Sequence, residues 1–350
     1  MTRIADLYAD LRKRTSIEWT LSLPGRLLSV SSGSSELATA ACRALTVWRT
    51  PVVETRSKPD DVCVVENYSR AGFDVDAVGR LPSRSYQHAT MGTFHTFELE
   101  DGAAVVQPGR SAFLCSDTGE MVWLVEDDLL AGDQERWPNL IDLAMVLTSE
   151  SLRRGGFFLA HAGGVGRHGR CLLLLGESGA GKTTLALRKA IEGWDFYGDD
   201  MVIVGRDGDG LWRVHPYWRL VHLTPQTLAM LGDLSVPSPK FTADNKMQCD
   251  ITELAPVRPP RPALLEAVLC LQPGWLPLVP ERLSSNDAMP ALGAAFLSGF
   301  NLRNADLDLE NLLDLTTATP VYQGSWSTDS QAIDVLFQDL DNHAQEPQIQ

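Results

Sequence analysis

Apolar and polar positions follow two rhythms along this chain, and the changes of rhythm divide it. SSGSSELATAACRALTVW opens on serines and then spaces its apolar residues helically, which predicts a helix within a partly helical 1–50. From 51 to 135 the segments are short and β-rich: DVCVVENY, TFHTFELE, AAVVQPG, SAFLCSD and EMVWLVED. Turn formers such as DG, PG and DTGE separate them, so an antiparallel β region is expected there. WPNLIDLAMVLTSESLRRGG (137–156) returns to helical spacing and ends in glycines, with Arg153 and Arg154 suited to the negative end of a helix.

Beyond 156 the rhythm alternates between strand and helix. FFLAHAGGV reads as a strand, GRHG as a turn, RCLLLLG as a buried strand and KTTLALRKAIEG as a helix. WDFYGDDMVIVG and GLWRVHPYWRLVHL read as further strands, and RPPRPA (258–263) as loop or linker. AMPALGAAFLSGF and DLENLLDLTT are expected to be helices, PVYQGSW a strand and DSQAIDVLFQDLDN a last helix. The predicted division is an α+β region over 1–136, an α/β catalytic domain over 137–343 and a frayed tail over 344–350. The first region is open to a scaffold role or to substrate recognition.

Composition narrows the function classes. A length of 350 residues suits two domains or one elaborated domain, and 44% hydrophobic residues support a real core. A formal net charge of −15 argues against a broad nucleic-acid surface, since phosphates need a basic face. The six cysteines are scattered with no CxxC pair, which speaks against a zinc or thioredoxin-like motif and for free thiols in a reducing compartment. The charged start MTRIADLYADLRKRTSIEWTLSL does not read as a secretory signal, and no apolar run reaches the ~20 residues of a membrane span. A cytoplasmic protein with neither nucleic-acid nor membrane partners is expected.

The chemistry-bearing stretch is LLLLGESGAGKTTLALRKAIEGWDFYGDDMV (172–202). Gly176, Glu177, Ser178, Gly179, Ala180, Gly181, Lys182 and Thr183 fit GxxxxGK[ST], followed by Thr184. In such a loop the glycines turn backbone N–H groups toward phosphate oxygens, and the helix start adds its positive end. Lys182 is placed to reach the β- and γ-phosphates and Thr183 to bind Mg²⁺, so ATP and Mg²⁺ are the expected cofactors. The pair Asp199 and Asp200 follows one helix later. Two carboxylates there can hold a metal and orient an acceptor hydroxyl, whereas GDD alone is also good turn chemistry. His161 sits in an otherwise apolar strand before the loop; alone it would read as a core histidine.

HAGGVGRHGRCLLLLGESGAGKTTLALRKAIEGWDFYGDDMV resembles the catalytic core of the HPr kinase/phosphorylase-related P-loop kinases. The shared pattern is a histidine-alanine on a strand, a tight turn, a strand, a GxSGxGK loop, a helix and a paired aspartate. The match is strong over 157–204 and weak elsewhere, where RVHPYWRLVHL and ATPVYQGSW are less specifically similar to related-kinase segments. It implies an α/β fold with a P-loop kinase core of HPr-kinase type, carrying a mixed, β-rich N-terminal region. It also implies ATP-dependent phosphorylation of a serine hydroxyl on a peptide or protein. Within the resemblance Lys182 and the loop backbone hold phosphates, and His161 lies near the transferring group. Asp199 orients or deprotonates the hydroxyl and Asp200 joins Thr183 at the metal, two roles that can be exchanged. Thr183-Thr184 stands where the HPr-directed enzymes have Ser-Glu, and NKMQCDITEL (245–254) stands where they have a glycine-rich signature. Those departures point away from HPr and toward the related peptide-tailoring kinases, which resemble enzymes acting on the C-terminal serine of lasso-peptide precursors. The parent family implies a homo-oligomer.

Arg219, Lys240 and Lys246 are candidate acceptor or phosphate contacts, against the reading of ordinary surface cations. Trp194, Tyr197, Trp212, Tyr217 and Trp218 either line a peptide groove or, as strand aromatics more often do, pack in the core. Two other functions remain open: a small-molecule kinase on the same scaffold, and a nucleotide-gated ATPase or binding module.

Overall fold

The computed structural model describes residues 3–46, 52–53, 57–73, 78, 81–88, 92–108, 110–126, 137–217, 220–232, 240–241, 246–255, 257, 260–272, 280–296, 305–325 and 331–345. The chain is mixed α/β with several sheets, and it divides into two compact units. One is Met1–Gly156 with Ser298–Asp306; the other is Phe157–Leu297 with Leu307–Gln350.

The first unit contains α1 (Ile4–Arg12), β1 (Ile17–Leu23), β2 (Arg26–Ser32), α2 (Ser35–Thr46), β3 (Val52–Val53), β4 (Asp61–Asn67) and α3 (Tyr68–Ala71). It continues with β5 (Ser83–His88), β6 (Gly92–Leu99), β7 (Gly102–Gln107), β8 (Ser111–Ser116), β9 (Glu120–Val125) and α4 (Trp137–Arg154). The strands form one sheet in the order β3-β1-β2-β4-β9-β8-β7-β6-β5. Two features differ from the sequence reading. The stretch 1–50 holds a β1–β2 hairpin as well as helices, turning at Pro24-Gly25 with Gly25 at φ +65°. The sheet is not wholly antiparallel, because β4 runs parallel to both β2 and β9. Parallel neighbours need a crossover, and α2 lies in the connection from β2 to β4.

Helix α4 groups with this first unit, so the compact division falls after Gly156 and not at 136. Asp61 of β4 is fully buried. It accepts hydrogen bonds from Arg26 at 2.8 Å and from Ser151 of α4 at 2.5 Å, which ties the helix to its sheet. All six cysteines are free thiols, five of them buried and Cys42 half-buried.

The second unit begins with β10 (Phe157–His161), β11 (Gly163–Arg167), β12 (Arg170–Leu175), α5 (Lys182–Ile191), β13 (Asp195–Gly198), β14 (Met201–Arg206), β15 (Trp212–His215) and β16 (Leu220–Leu223). It goes on with α6 (Pro225–Leu231), β17 (Lys240–Phe241), β18 (Met247–Asp250), α7 (Ile251–Leu254) and β19 (Ala263–Gln272). It finishes with β20 (Glu281–Arg282), α8 (Ser285–Phe296), α9 (Ala305–Ala318), β21 (Val321–Ser325) and α10 (Gln331–Gln345). The main sheet runs β10-β14-β15-β19-β12-β11-β13, with β21 alongside β19. Strands β12, β19 and β21 are parallel, and a small sheet β16-β18-β17 stands apart from it.

Why CLLLL (171–175) and AVLCL (267–271) are so uniformly apolar follows from this placement. Leu172, Leu174, Ala267 and Leu269 pack into one core with α5 and α10, while Leu173, Leu175, Val268 and Cys270 pack into a second core with α8 and α9. A strand covered on both faces loses the alternation of a half-exposed one. The expected strand FFLAHAGGV is two strands, β10 and β11, interrupted at Ala162. The last helix extends through Gln345, and the remainder of the expected tail lies outside the described residues. Among the described residues no helix is long and apolar enough to cross a membrane.

Candidate functional site

Strand β12 ends at Leu175, and the chain turns through Gly176–Gly181 into α5 at the carboxyl end of the parallel strands. That end of an open α/β sheet is where ligands commonly bind. Glycine is required at the first position of the turn. Gly176 has φ +146°, and a Cβ there would stand 2.6 Å from the Leu271 carbonyl oxygen of β19. Gly181 caps α5 at φ +98°. Glu177, Ser178 and Gly179 are exposed, and Ala180 is buried beneath them. Lys182 is buried, and its Nζ donates to the carbonyls of Gly176 at 2.6 Å and Glu177 at 3.2 Å. Burial lowers the Lys182 pKa, with a smaller push from Lys246, against the opposing carboxylates of Asp200 and Asp199.

The two aspartates lie in the tight turn between β13 and β14. A side chain on Gly198 would meet the Met201 carbonyl oxygen at 2.5 Å, so the turn closes only around glycine. Asp199 is 2% exposed. Its Oδ2 accepts from the backbone N–H of His222 at 3.4 Å, and the Thr183 hydroxyl also reaches the carboxylate. Its buried Oδ1 has no hydrogen-bond partner. Burial, and secondarily the neighbouring Asp200, push the Asp199 carboxyl up to about 8, against the His222 N–H and the Thr183 hydroxyl.

Asp200 is half-exposed and lies 3.3 Å from His161 Nδ1. Strand register explains the meeting: His161 pairs with Met201, and the Ala162 N–H donates to the Asp200 carbonyl at 3.0 Å. Desolvation lowers the His161 pKa; Asp200 opposes that, while Lys182 and Lys246 reinforce it. His161 thus faces the Asp200 carboxylate through Nδ1.

The fold thus brings His161, Lys182, Thr183, Asp199 and Asp200 together. Lys246, just before β18, joins them electrostatically, since its charge is felt at both His161 and Lys182. Lys240 lies in β17, in register with Gln248 of β18, and its side chain is outside the described residues. Arg219 and Trp218 are outside them too. Thr184 faces away from solvent, with its Oγ1 3.4 Å from Thr227 Oγ1. Trp194, Tyr197, Trp212 and Tyr217 are core residues.

Two contributors had no signal in the sequence. His222 acts on Asp199 through its backbone N–H, which any non-proline residue supplies. Gln248 sits across the ladder from His222, its Nε2 2.8 Å from the imidazole Nε2.

These elements define a mixed α/β unit in which a glycine turn, a buried lysine and two unlike carboxylates converge. No family model matches the chain, and neither does any curated protein. Among solved structures it is similar to the HPr(Ser) kinase/phosphatase from Coxiella burnetii, with 11% identity over 53% of this chain and 95% of that chain, at a TM-score of 0.27.

Proposed function

We propose that the second unit is a P-loop phosphotransferase that moves the γ-phosphate of ATP to a serine or similar hydroxyl of a peptide or protein. A lasso-peptide-type precursor is the acceptor class that the sequence resemblance favours. The observation that carries the reading is the Asp199 carboxylate, buried with one oxygen unpartnered, beside Thr183 on the first turn of α5. A buried carboxylate without a full set of donors is costly, and a bound cation offsets that cost.

The residues fit Mg²⁺ on that ground: Asp199 and the Thr183 hydroxyl would hold it, with phosphate oxygens completing the shell. When bound, the ion supplies charge neutralisation on the phosphates. The remaining work belongs to the chain. Loop N–H groups and Lys182 bind and align the phosphates. Asp200, half-exposed and held by His161, orients the acceptor hydroxyl and takes up its proton. This exchanges the two aspartate roles relative to the first order implied by the resemblance, and the Thr183–Asp199 contact is the reason.

The test is mass spectrometry of products after incubation with Mg-ATP and a serine-terminated precursor peptide, with Lys182→Ala as control. A phosphate mass on the peptide, absent from the control, is expected. ATP hydrolysis with no modified acceptor would reject the reading in favour of a nucleotide-gated ATPase. The division of roles is tested separately: Asp199→Asn should weaken Mg²⁺-dependent nucleotide binding, and Asp200→Asn should lower kcat while leaving that binding intact.

A further inference from the structure

We propose that Lys246 is a second phosphoryl-contacting lysine, supplied by a different chain segment from Lys182 and acting on the γ-phosphoryl group during transfer. The inference rests on the nucleotide-binding reading above. Its geometric basis is strand register. Lys246 immediately precedes β18, where Met247 pairs with Leu223 and Gln248 with His222. Leu223 leads into Thr224, which caps α6 by accepting from the Thr227 N–H at 3.0 Å. Thr227 Oγ1 lies 3.0 Å from Thr224 Oγ1 and 3.4 Å from Thr184 Oγ1 on the first turn of α5. The start of β18 is therefore fastened to the corner where α5 begins, two positions from Lys182. On the other side of the same register, His222 gives its N–H to Asp199. Lys246 is bracketed between the loop helix and the aspartate turn.

Electrostatics agree with that bracket. The Lys246 charge is felt at both Lys182 and His161, which lie on separate elements. Its side chain is half-buried, so it is less screened than a surface lysine. A phosphoryl group in flight spreads charge over three equatorial oxygens, so a cation from a second segment adds to what Lys182 and the loop N–H groups supply. A cation from a second segment, fixed in advance by a strand register, stabilises the transferring group more than the bound ground state.

The experiment compares full-length wild type, Lys246→Ala and Lys246→Arg by calorimetric titration with Mg-ADP, and with Mg-ADP plus aluminium fluoride. Lys246→Ala should leave Mg-ADP affinity unchanged and weaken the fluoride complex about a hundredfold, with Lys246→Arg recovering most of the loss. Equal weakening of both ligands, or of neither, overturns the proposal. So does an unchanged fluoride complex with a raised acceptor KM, which would assign Lys246 to the acceptor. If wild type binds neither ligand, the nucleotide reading falls and this proposal falls with it. Binding of Mg-ADP by wild type, lost in Lys182→Ala, keeps the two failures apart.

Discussion

Asp199→Asn should stabilise the metal-free protein even as it removes a residue that the proposed chemistry needs. The carboxyl is 2% exposed and one of its oxygens lacks a partner. Its pKa rises from 3.8 to about 8. Below 3.8 both folded and unfolded chains hold the proton, and the stability linked to this protonation is fully present. Between 3.8 and 8 only the folded chain holds it, so the stability this group contributes is lost as pH rises through that window. Each pH unit in the window costs ~1.4 kcal/mol, which amounts to ~4 kcal/mol at pH 7. Asparagine is neutral in both states and escapes the loss. Its amide leaves a donor to satisfy, worth ~1–2 kcal/mol against it. The net expectation at pH 7 is a gain of roughly 2–3 kcal/mol. The sharper expectation is the change with pH: from pH 5 to pH 7 the variant should gain about 3 kcal/mol on wild type. Urea unfolding with a chelator present, followed by the fluorescence of the buried Trp194 and Trp212, measures it. A stability difference that stays flat between pH 5 and pH 7 would refute the argument, because a carboxylate already satisfied in the folded state has no such slope.

The other expectations concern the framework of the site. Gly176→Ala should abolish nucleotide binding in a titration and destabilise by more than ~2 kcal/mol, because the added carbon meets the Leu271 carbonyl oxygen at 2.6 Å. Leu269→Ala, in β19 with no exposure, should cost ~2–5 kcal/mol in a urea melt. Asp334→Asn should cost ~1 kcal/mol and speed amide exchange in α10, since it takes from the fully buried Lys189 one of two carboxylate partners, at 2.6 Å, and leaves Glu192 at 2.7 Å.

How much of this was legible depended on whether the determinant was local. The loop, the strand before it and the helix after it could be read because glycine, lysine and threonine at fixed spacing carry the chemistry themselves. The aromatic residues near the aspartates were readable as core for the same reason: strand aromatics that alternate with polar positions seldom face water. Strand β19 was not read at all. ALLEAVLCLQ is buried on both faces, so it shows no period, and a run without a period does not choose between strand and helix. The parallel pairing of β4 was equally hidden, since it joins β2 and β9 across long separations in sequence. The support of Asp199 by His222 was invisible because a peptide N–H has no residue identity. Lys246 could be named as a candidate, but only the β16–β18 register distinguishes it from any other lysine.

The grip on Lys189 has a consequence in time. Lys182 opens α5 and Lys189 lies about two turns further along the same helix. Lys189 is held by Asp334, and α10 also lays Ile333, Leu336 and Phe337 over the core that α5 shares with β12. Helix α10 is made after every other element described. A ribosome translating this chain has therefore exposed the loop, the aspartates and Lys246 well before the element that fastens their supporting helix emerges. During that interval the face beneath α10 is open apolar surface, the kind that chaperones hold. Activity should appear only after synthesis has passed residue 345, and a stalled chain ending before residue 331 should carry the whole phosphate motif without a rigid place to put it.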